Sequence, residues 1–415
     1  MIKMKIVFVC IVFFITALSL SADRIDLKSY ASSFDSIPIA ILDFKAKDGP
    51  SIKRNEPWKV IADDLEFGGR FSVARGLKAD STQFVSENIG IFIDGDYTIE
   101  GKAITLNCYL HDASTMDLLI GKKYKGEVKY IRNMAHQYAN QIYDMILGER
   151  GPFLSKMVYV KDRGNAKDLI VMDYDGHNQA KLNKEGKVNI FPAFIDSTGL
   201  VWTSFVRGKP DLYKGTSFSG SGSIFIYSRY VETSPAVSTI VGKMAYASSK
   251  KGNLDIYVCD LEGKNRQQLT YSRGIDTSPC WSPNGYHIAF TSDRTGQPQI
   301  YVMDADGANT RRITFKGSYQ DSPAWSPRGD KIAYSSFKDG RFDIYIINPD
   351  GSEPFKVTTG YGNSEYPAWS PDGSNIAFVS RRGGRSDIFC IRPDGTGLKQ
   401  ITRSGNAKMP DWSKF

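Results

Sequence analysis

Four carboxylates share a place in the 415-residue sequence: Glu232, Asp276, Asp321 and Glu365 each stand two or three residues ahead of a proline. Acids clustered this way could cap turns beside Ser and Thr, line a binding rim, or work as acid pairs. The other reactive side chains are sparse. His111, His136, His177 and His287 are scattered, so a histidine metal cluster has no material. Asp173-x-Asp175-Gly and Asp304-x-Asp306-Gly resemble the start of a calcium loop, but its twelfth position holds Lys184 or Phe315 in place of Glu, so both read as turns. Cys10 lies in an apolar leader; Cys108, Cys259, Cys280 and Cys390 form no Cys-x-x-Cys pair and read as small buried hydrophobes. No G-x-S-x-G, H-E-x-x-H or G-x-x-x-x-G-K-[ST] phrase is present. No cofactor is implied.

The elements that position these residues come from a repeat. Trp281, Trp325 and Trp369 each open a Trp-Ser-Pro-x-Gly phrase at intervals of 44 residues, and Pro192, Pro235 and Pro410 extend the ladder. Three further columns keep the same step: Tyr213, Tyr257, Tyr301, Tyr345 and Phe389; Gly263, Gly307, Gly351 and Gly395; Thr270, Thr314, Thr358 and Thr402. In the clearest copy, short apolar runs at 367–370, 375–380, 387–391 and 398–402 alternate with Asp-Gly and Gly-Gly turns, as four strands would. A four-stranded unit of this period is a β-propeller blade. Six units fill residues 157–415, with a C-terminal strand within 408–415 completing the first blade and closing the ring. The tryptophans are expected to pack between blades. In such a ring the four acids precede the innermost strands and ring one mouth of the channel.

Residues 37–150 form a separate α/β unit. The apolar run 37–44 reads as a doubly buried strand, and Pro57 starts a helix whose Trp58, Ile61 and Leu65 share a face and which stops at Gly68-Gly69. A hairpin spans 89–100 and 102–112, a strand is added at 124–128, and a helix over about 130–147 carries His136 as a hydrogen-bonded structural residue. The fold class is therefore multidomain: a small N-terminal α/β domain followed by a six-bladed all-β propeller. Ahead of it, Lys3 and Lys5 precede the apolar run 6–20 and the small residues Ser21 and Ala22, which reads as a cleaved export signal over residues 1–22. The net charge of +8 includes those two lysines, and Arg381, Arg382 and Arg385 read as a solvated loop, so no nucleic-acid partner is expected.

The phrases Ile37-Pro-Ile-Ala-Ile-Leu-Asp-Phe44, Ile61-Ala-Asp-Asp-Leu-Glu-Phe-Gly-Gly-Arg-Phe71, Gly121-Lys-Lys-Tyr124, Ile131-Arg-Asn-Met-Ala-His136, Ile142-Tyr143 and Gly148-Glu-Arg-Gly-Pro-Phe153, followed by the Trp-Ser-Pro repeats, resemble the TolB family of periplasmic proteins in the Tol–Pal envelope system. The resemblance implies a non-enzymatic adaptor that supports outer-membrane integrity and constriction at division. Its propeller mouth would receive the peptidoglycan-associated lipoprotein Pal through Glu232, Thr233, Ser234, Asp276, Thr277, Ser278, Gln320, Asp321, Ser322, Ser364, Glu365 and Tyr366. The segment 23–36, with Asp23, Arg24, Ile25, Asp26 and Leu27, would be offered to the inner-membrane protein TolA by strand addition. A periplasmic monomer follows, touching membranes only through partners. The contrasting expectation is a propeller lyase or hydrolase acting on an envelope oligosaccharide at the same mouth.

Overall fold

A computed structural model describes residues 35–52, 55–182, 187–217, 222–360 and 362–415. The expected signal and Asp23, Arg24, Ile25, Asp26 and Leu27 lie outside the described residues.

In chain order the first domain runs β1 (Ile37–Ile41), β2 (Lys45–Asp48), α1 (Pro57–Phe67), β3 (Phe71–Arg75), α2 (Ser81–Ser86), β4 (Ile91–Glu100), β5 (Ala103–Asp112), β6 (Leu118–Glu127) and α3 (Ile131–Leu147). The sheet order is β3-β1-β4-β5-β6, with β2 also on β4; β1 is parallel to both neighbours and the β4–β5–β6 meander is antiparallel. As its apolar run predicts, β1 is an interior strand, held between β3 and β4. Three elements escape the sequence expectation: β2, β3 and the short helix α2. The added strand begins at Leu118 and not at 124, because its Gly-Lys-Lys-Tyr-Lys-Gly stretch lacks alternation. Lysines of that kind suit an edge that must not pair further.

Helix α3 buries Ile131, Met134, Ala135, Tyr138, Ala139, Ile142, Tyr143 and Ile146 at helical spacing and ends at Gly148 in the left-handed conformation (φ +68°). Each large side chain so buried contributes roughly 1.5–3 kcal/mol over exposure. Helix α1 packs beside it and buries Ile61 and Leu65 as expected, while Trp58 stays half-buried.

Six four-stranded antiparallel sheets follow, one per blade. Their innermost strands are Asn189–Phe194, Glu232–Ser238, Asp276–Trp281, Tyr319–Trp325, Asn363–Trp369 and Ala407–Trp412, the last pairing with Lys156–Asp162 to complete blade 1. In blade 6 the first strand reaches back to Asn363, ahead of the predicted start at 367, and the fourth shrinks to Lys399–Gln400. The cause of the second difference is the threonine column. In blades 3 to 6 the hydroxyls of Thr270, Thr314, Thr358 and Thr402 accept the amides of Ile256, Ile300, Ile344 and Ile388 at 2.9–3.0 Å, pulling the chain out of the ladder. The same hydroxyls face Asp255, Gln299, Asp343 and Asp387.

The tryptophans divide. Trp281 and Trp369 bridge blades, each Nε1 donating to the preceding blade at Ala236 O (3.2 Å) and Ala324 O (2.9 Å). Trp325 keeps its hydrogen bond within its own blade, to Gly329 O, while its ring stacks on His287 of the preceding blade, so all three rings pack between blades as expected.

The two domains share a core that runs from β1 and α3 to Tyr174, Cys390 and Trp412. Helix α1 ends against blade 6. A helix leaves its last carbonyls without intrahelical donors, and here Arg392 Nη2 reaches Glu66 O (2.8 Å) and Asn375 Nδ2 reaches Phe67 O (3.1 Å). The guanidinium also suits the negative end of the helix dipole. Gly69 (φ +71°) is required there, since a Cβ on it would lie 2.4 Å from Arg392 Nε.

Candidate binding site at the channel mouth

Each innermost strand is broken at one register position, between Ile190 and Ala193, Thr233 and Ala236, Thr277 and Cys280, Asp321 and Ala324, Glu365 and Ala368, and Lys408 and Asp411. Inside each break a left-handed residue precedes a proline. Phe191, Ser234, Ser278, Ser322, Tyr366 and Met409 have φ between +48° and +57°. The break explains how proline sits in an innermost strand, because a bulge needs no ladder donor from it. Non-glycine residues held at positive φ cost of order 1 kcal/mol or more and concentrate at functional sites. Neighbouring blades fix them: Thr203 Oγ1 accepts Ser234 N (3.2 Å) and Ser335 Oγ accepts Tyr366 N (3.0 Å).

The six bulges line a central cavity of about 520 Å³. At this mouth the chain enters the innermost strands. The first domain docks on the opposite face, among the Trp-Ser-Pro turns and the Asp-x-x-Gly turns, where Asn375 and Arg392 lie. That far end is crossed by the tail: Lys414 Nζ donates to Val237 O (2.7 Å), and the Arg150 guanidinium stacks on the Phe415 ring. Asp411 Oδ2, inside the channel, accepts Phe194 N at 2.7 Å; burial pushes its carboxyl up to about 6 and lowers the pKa of the Lys414 ammonium. Cys280 lies on the same wall, its thiol pushed up to about 11 by burial.

The structure separates the twelve residues expected at the mouth into three layers, one per residue of each strand. Glu232, Asp276, Gln320 and Ser364 pair across the sheet with Ser248, Ser292, Ser336 and Ser380 and are buried. Thr233, Thr277, Asp321 and Glu365 form the next layer, Ser234, Ser278, Ser322 and Tyr366 the last. The expectation that all four acids ring the mouth is therefore corrected. Glu232 and Asp276 stand three residues before the proline and turn into the blade, where Ser228 Oγ donates to Glu232 (2.6 Å) and Arg294 holds Asp276 (2.9 Å). Asp321 and Glu365 stand two before it and, successive strand residues facing opposite sides, remain partly open at the mouth. Burial, then the charge of Asp321, raises the pKa of Glu365.

Blades 1 and 2 complete the ring with Lys408 and Met409, and Ile190 and Phe191. Sequence reasoning missed these four, although the prolines at 192 and 410 mark them. Lys408 occupies the same layer as Asp321 and Glu365 and pairs with Asp162 (2.9 Å), so the rim carries both signs. Among the described residues no group of three His, Cys, Asp or Glu side chains is placed to hold a metal ion, and no helix is long and apolar enough to cross a membrane.

The family model described as the TolB beta propeller domain matches residues 143–337 and 319–414. The chain belongs to the TolB propeller family. It is 36% identical over 161 residues to the Tol-Pal system protein TolB of Geobacter metallireducens, covering 36% of this chain and 37% of that protein. Over 250 residues it is 31% identical to the TolB homolog of Chlorobium chlorochromatii, 56% of each chain. The matched parts span between about a third and somewhat over half of these TolB relatives. A crystal structure of TolB from Acinetobacter baumannii superposes with a TM-score of 0.78 at 23% identity, over 92% of this chain and 97% of that one, which shows the shared fold.

Proposed function

We propose that this TolB-family chain is a periplasmic, non-enzymatic adaptor of a Tol–Pal system. Its open propeller mouth binds a Pal-like outer-membrane lipoprotein, and residues 23–36 bind a TolA-like inner-membrane protein, so that the chain supports outer-membrane integrity and envelope constriction at division. Support comes from relatives named as Tol-Pal system proteins and above all from one observation. Six strained Xaa-Pro bulges converge on a cavity whose other end is crossed by the chain's own tail. A partner segment entering that mouth would meet backbone held open by the bulges, the hydroxyls of Ser278 and Ser322, and the charges of Asp321, Glu365 and Lys408.

The test is direct binding of the purified chain to its own organism's lipoprotein. Asp321→Lys with Glu365→Lys reverses two rim charges without touching the buried layer and should weaken binding at least tenfold. Unchanged affinity in that variant removes the mouth from consideration. Deleting residues 23–36 should abolish the inner-membrane contact and keep lipoprotein binding; loss of both sinks the division of labour.

A further inference from the structure

A chain of ionisable groups lies between the first domain and blade 1, far from the mouth. Asp64 of α1 is 1% exposed. One of its oxygens takes a hydrogen bond from the Tyr174 hydroxyl, in the turn after blade 1's third strand (Lys167–Asp173), and the other lies 2.8 Å from His136 Nδ1 of α3. The second ring nitrogen of His136, itself 3% exposed, is 3.5 Å from Asp175 Oδ2 of the same turn and has no hydrogen-bond partner. Asp175 is also paired with Arg132 of α3 and with His177 Nδ1 at 3.2 Å. The Tyr174 ring meets the imidazole edge-on, centroids 5.7 Å apart. Asp173, in the same turn, is engaged by Lys156 and Asn178.

Charge counting decides what this cluster needs. It holds two carboxylates and one permanent cation, Arg132, which serves Asp175 and Asn55. Asp64 is left buried between a neutral phenol and an imidazole. A lone buried carboxylate is costly to maintain, and removing the partner of a buried ion pair is among the most destabilising changes known. A proton relieves the site wherever it rests, on the imidazole as an ion pair or on the carboxyl as a neutral hydrogen bond. We infer that one proton, shared by His136 with Asp64 of its own domain and turned through Nε2 toward Asp175 of the propeller, fastens the first domain to the propeller, so that the two part more readily as pH rises above neutrality.

The shifts of both groups agree in sign. Burial lowers the pKa of His136, and the carboxylates of Asp64 and Asp175 more than reverse this, so the docked imidazole keeps its proton above its ordinary range. Burial likewise raises the pKa of Asp64, against the opposing pull of His136. When the domains part, His136 loses Asp175 and keeps Asp64 only as a hydrated pair, which contributes little, so its value falls back toward the ordinary one of about 6.5. The raised docked value means that the stabilisation is whole below about pH 6.5 and is lost as pH climbs through the docked value. One proton limits the slope to about tenfold in the docking constant per pH unit.

Hydrogen exchange of the full chain from pH 6 to 8.5, corrected for intrinsic amide rates, reads the opening of α3 and of the turn 173–178. Protection there should fall with rising pH by up to about tenfold per unit, while the outer blades stay level. His136→Gln should show weak protection already at pH 6 and no slope, and His177→Gln should keep the slope. A level profile in the native chain, an unchanged slope in H136Q, or a slope lost in H177Q overturns the proposal. Should H136Q fail to fold, NMR titration of the native imidazole decides: a midpoint clearly above 6.5 is required, and one at or below it refutes the shared proton.

Discussion

The threonine column allows a stability prediction in which most unknowns cancel. Thr358→Val and Thr314→Val remove the same hydroxyl from equivalent sites in adjacent blades, each 2–3% exposed and each accepting a backbone amide, Ile344 N at 3.0 Å or Ile300 N at 2.9 Å. Leaving that buried amide unpaired costs roughly 1–3 kcal/mol in either variant, and the gain from the added methyl is shared too. What differs is the group to which the hydroxyl donates. Thr358 donates to the Asp343 carboxylate at 3.0 Å, Thr314 to the neutral Gln299 amide oxygen at 2.8 Å. Hydrogen bonds to charged groups contribute about 1.5–3 kcal/mol and neutral ones about 0.5–1.5, so T358V should cost about 1 kcal/mol more than T314V. Urea unfolding of both variants, followed by tryptophan fluorescence, reads this as a lower midpoint for T358V at unchanged slope. In heat the extra cost lowers Tm by about 2–4 °C. Equal midpoints, or T314V as the weaker protein, would refute the reasoning that the column is a charge-assisted latch.

Three other outcomes follow from the channel and the docking face. Asp411→Asn should flatten the pH dependence of stability between about pH 4 and 6. The native carboxyl titrates near 6, so its burial penalty, on the order of 2–3 kcal/mol, sets in as pH rises through that window and stays above it; a curve unchanged by D411N rules this out. Arg392→Met should expose Glu66 O and loosen α1 from blade 6 by about 1–2 kcal/mol, seen as faster hydrogen exchange at 64–69, and an unaltered rate there removes the capping role. Cys280 should be the first thiol labelled by a small methanethiosulfonate, slowly because its thiol sits near 11, since Cys108, Cys259 and Cys390 are buried. A partner seated in the channel should protect it, and preferential labelling of another cysteine contradicts the cavity wall as described.

Legibility varied with the kind of interaction. The 44-residue ladder, the Pro57 helix start and the α3 stripe were readable because turns, caps and amphipathic faces are local. The first half of β6 and the whole of β3 were not, since lysines on an edge and a short parallel strand carry no alternation. At the mouth, the positions were legible as a set, but their direction was not. Glu232 and Asp321 differ by one residue relative to the proline, and only the register across the bulge shows that one is buried and the other open.

The sequence by itself determined a propeller of six blades behind an α/β domain, because a repeat of that length must bury its faces against copies of itself. The tertiary structure alone decided what is brought together from afar. Asp64, His136 and Tyr174 meet across separations of 72 and 110 residues, and Lys414 reaches a carbonyl 177 residues away. Such contacts leave no periodic trace, since each is a single meeting of two surfaces whose position follows from how the whole ring closes and how the first domain sits on it.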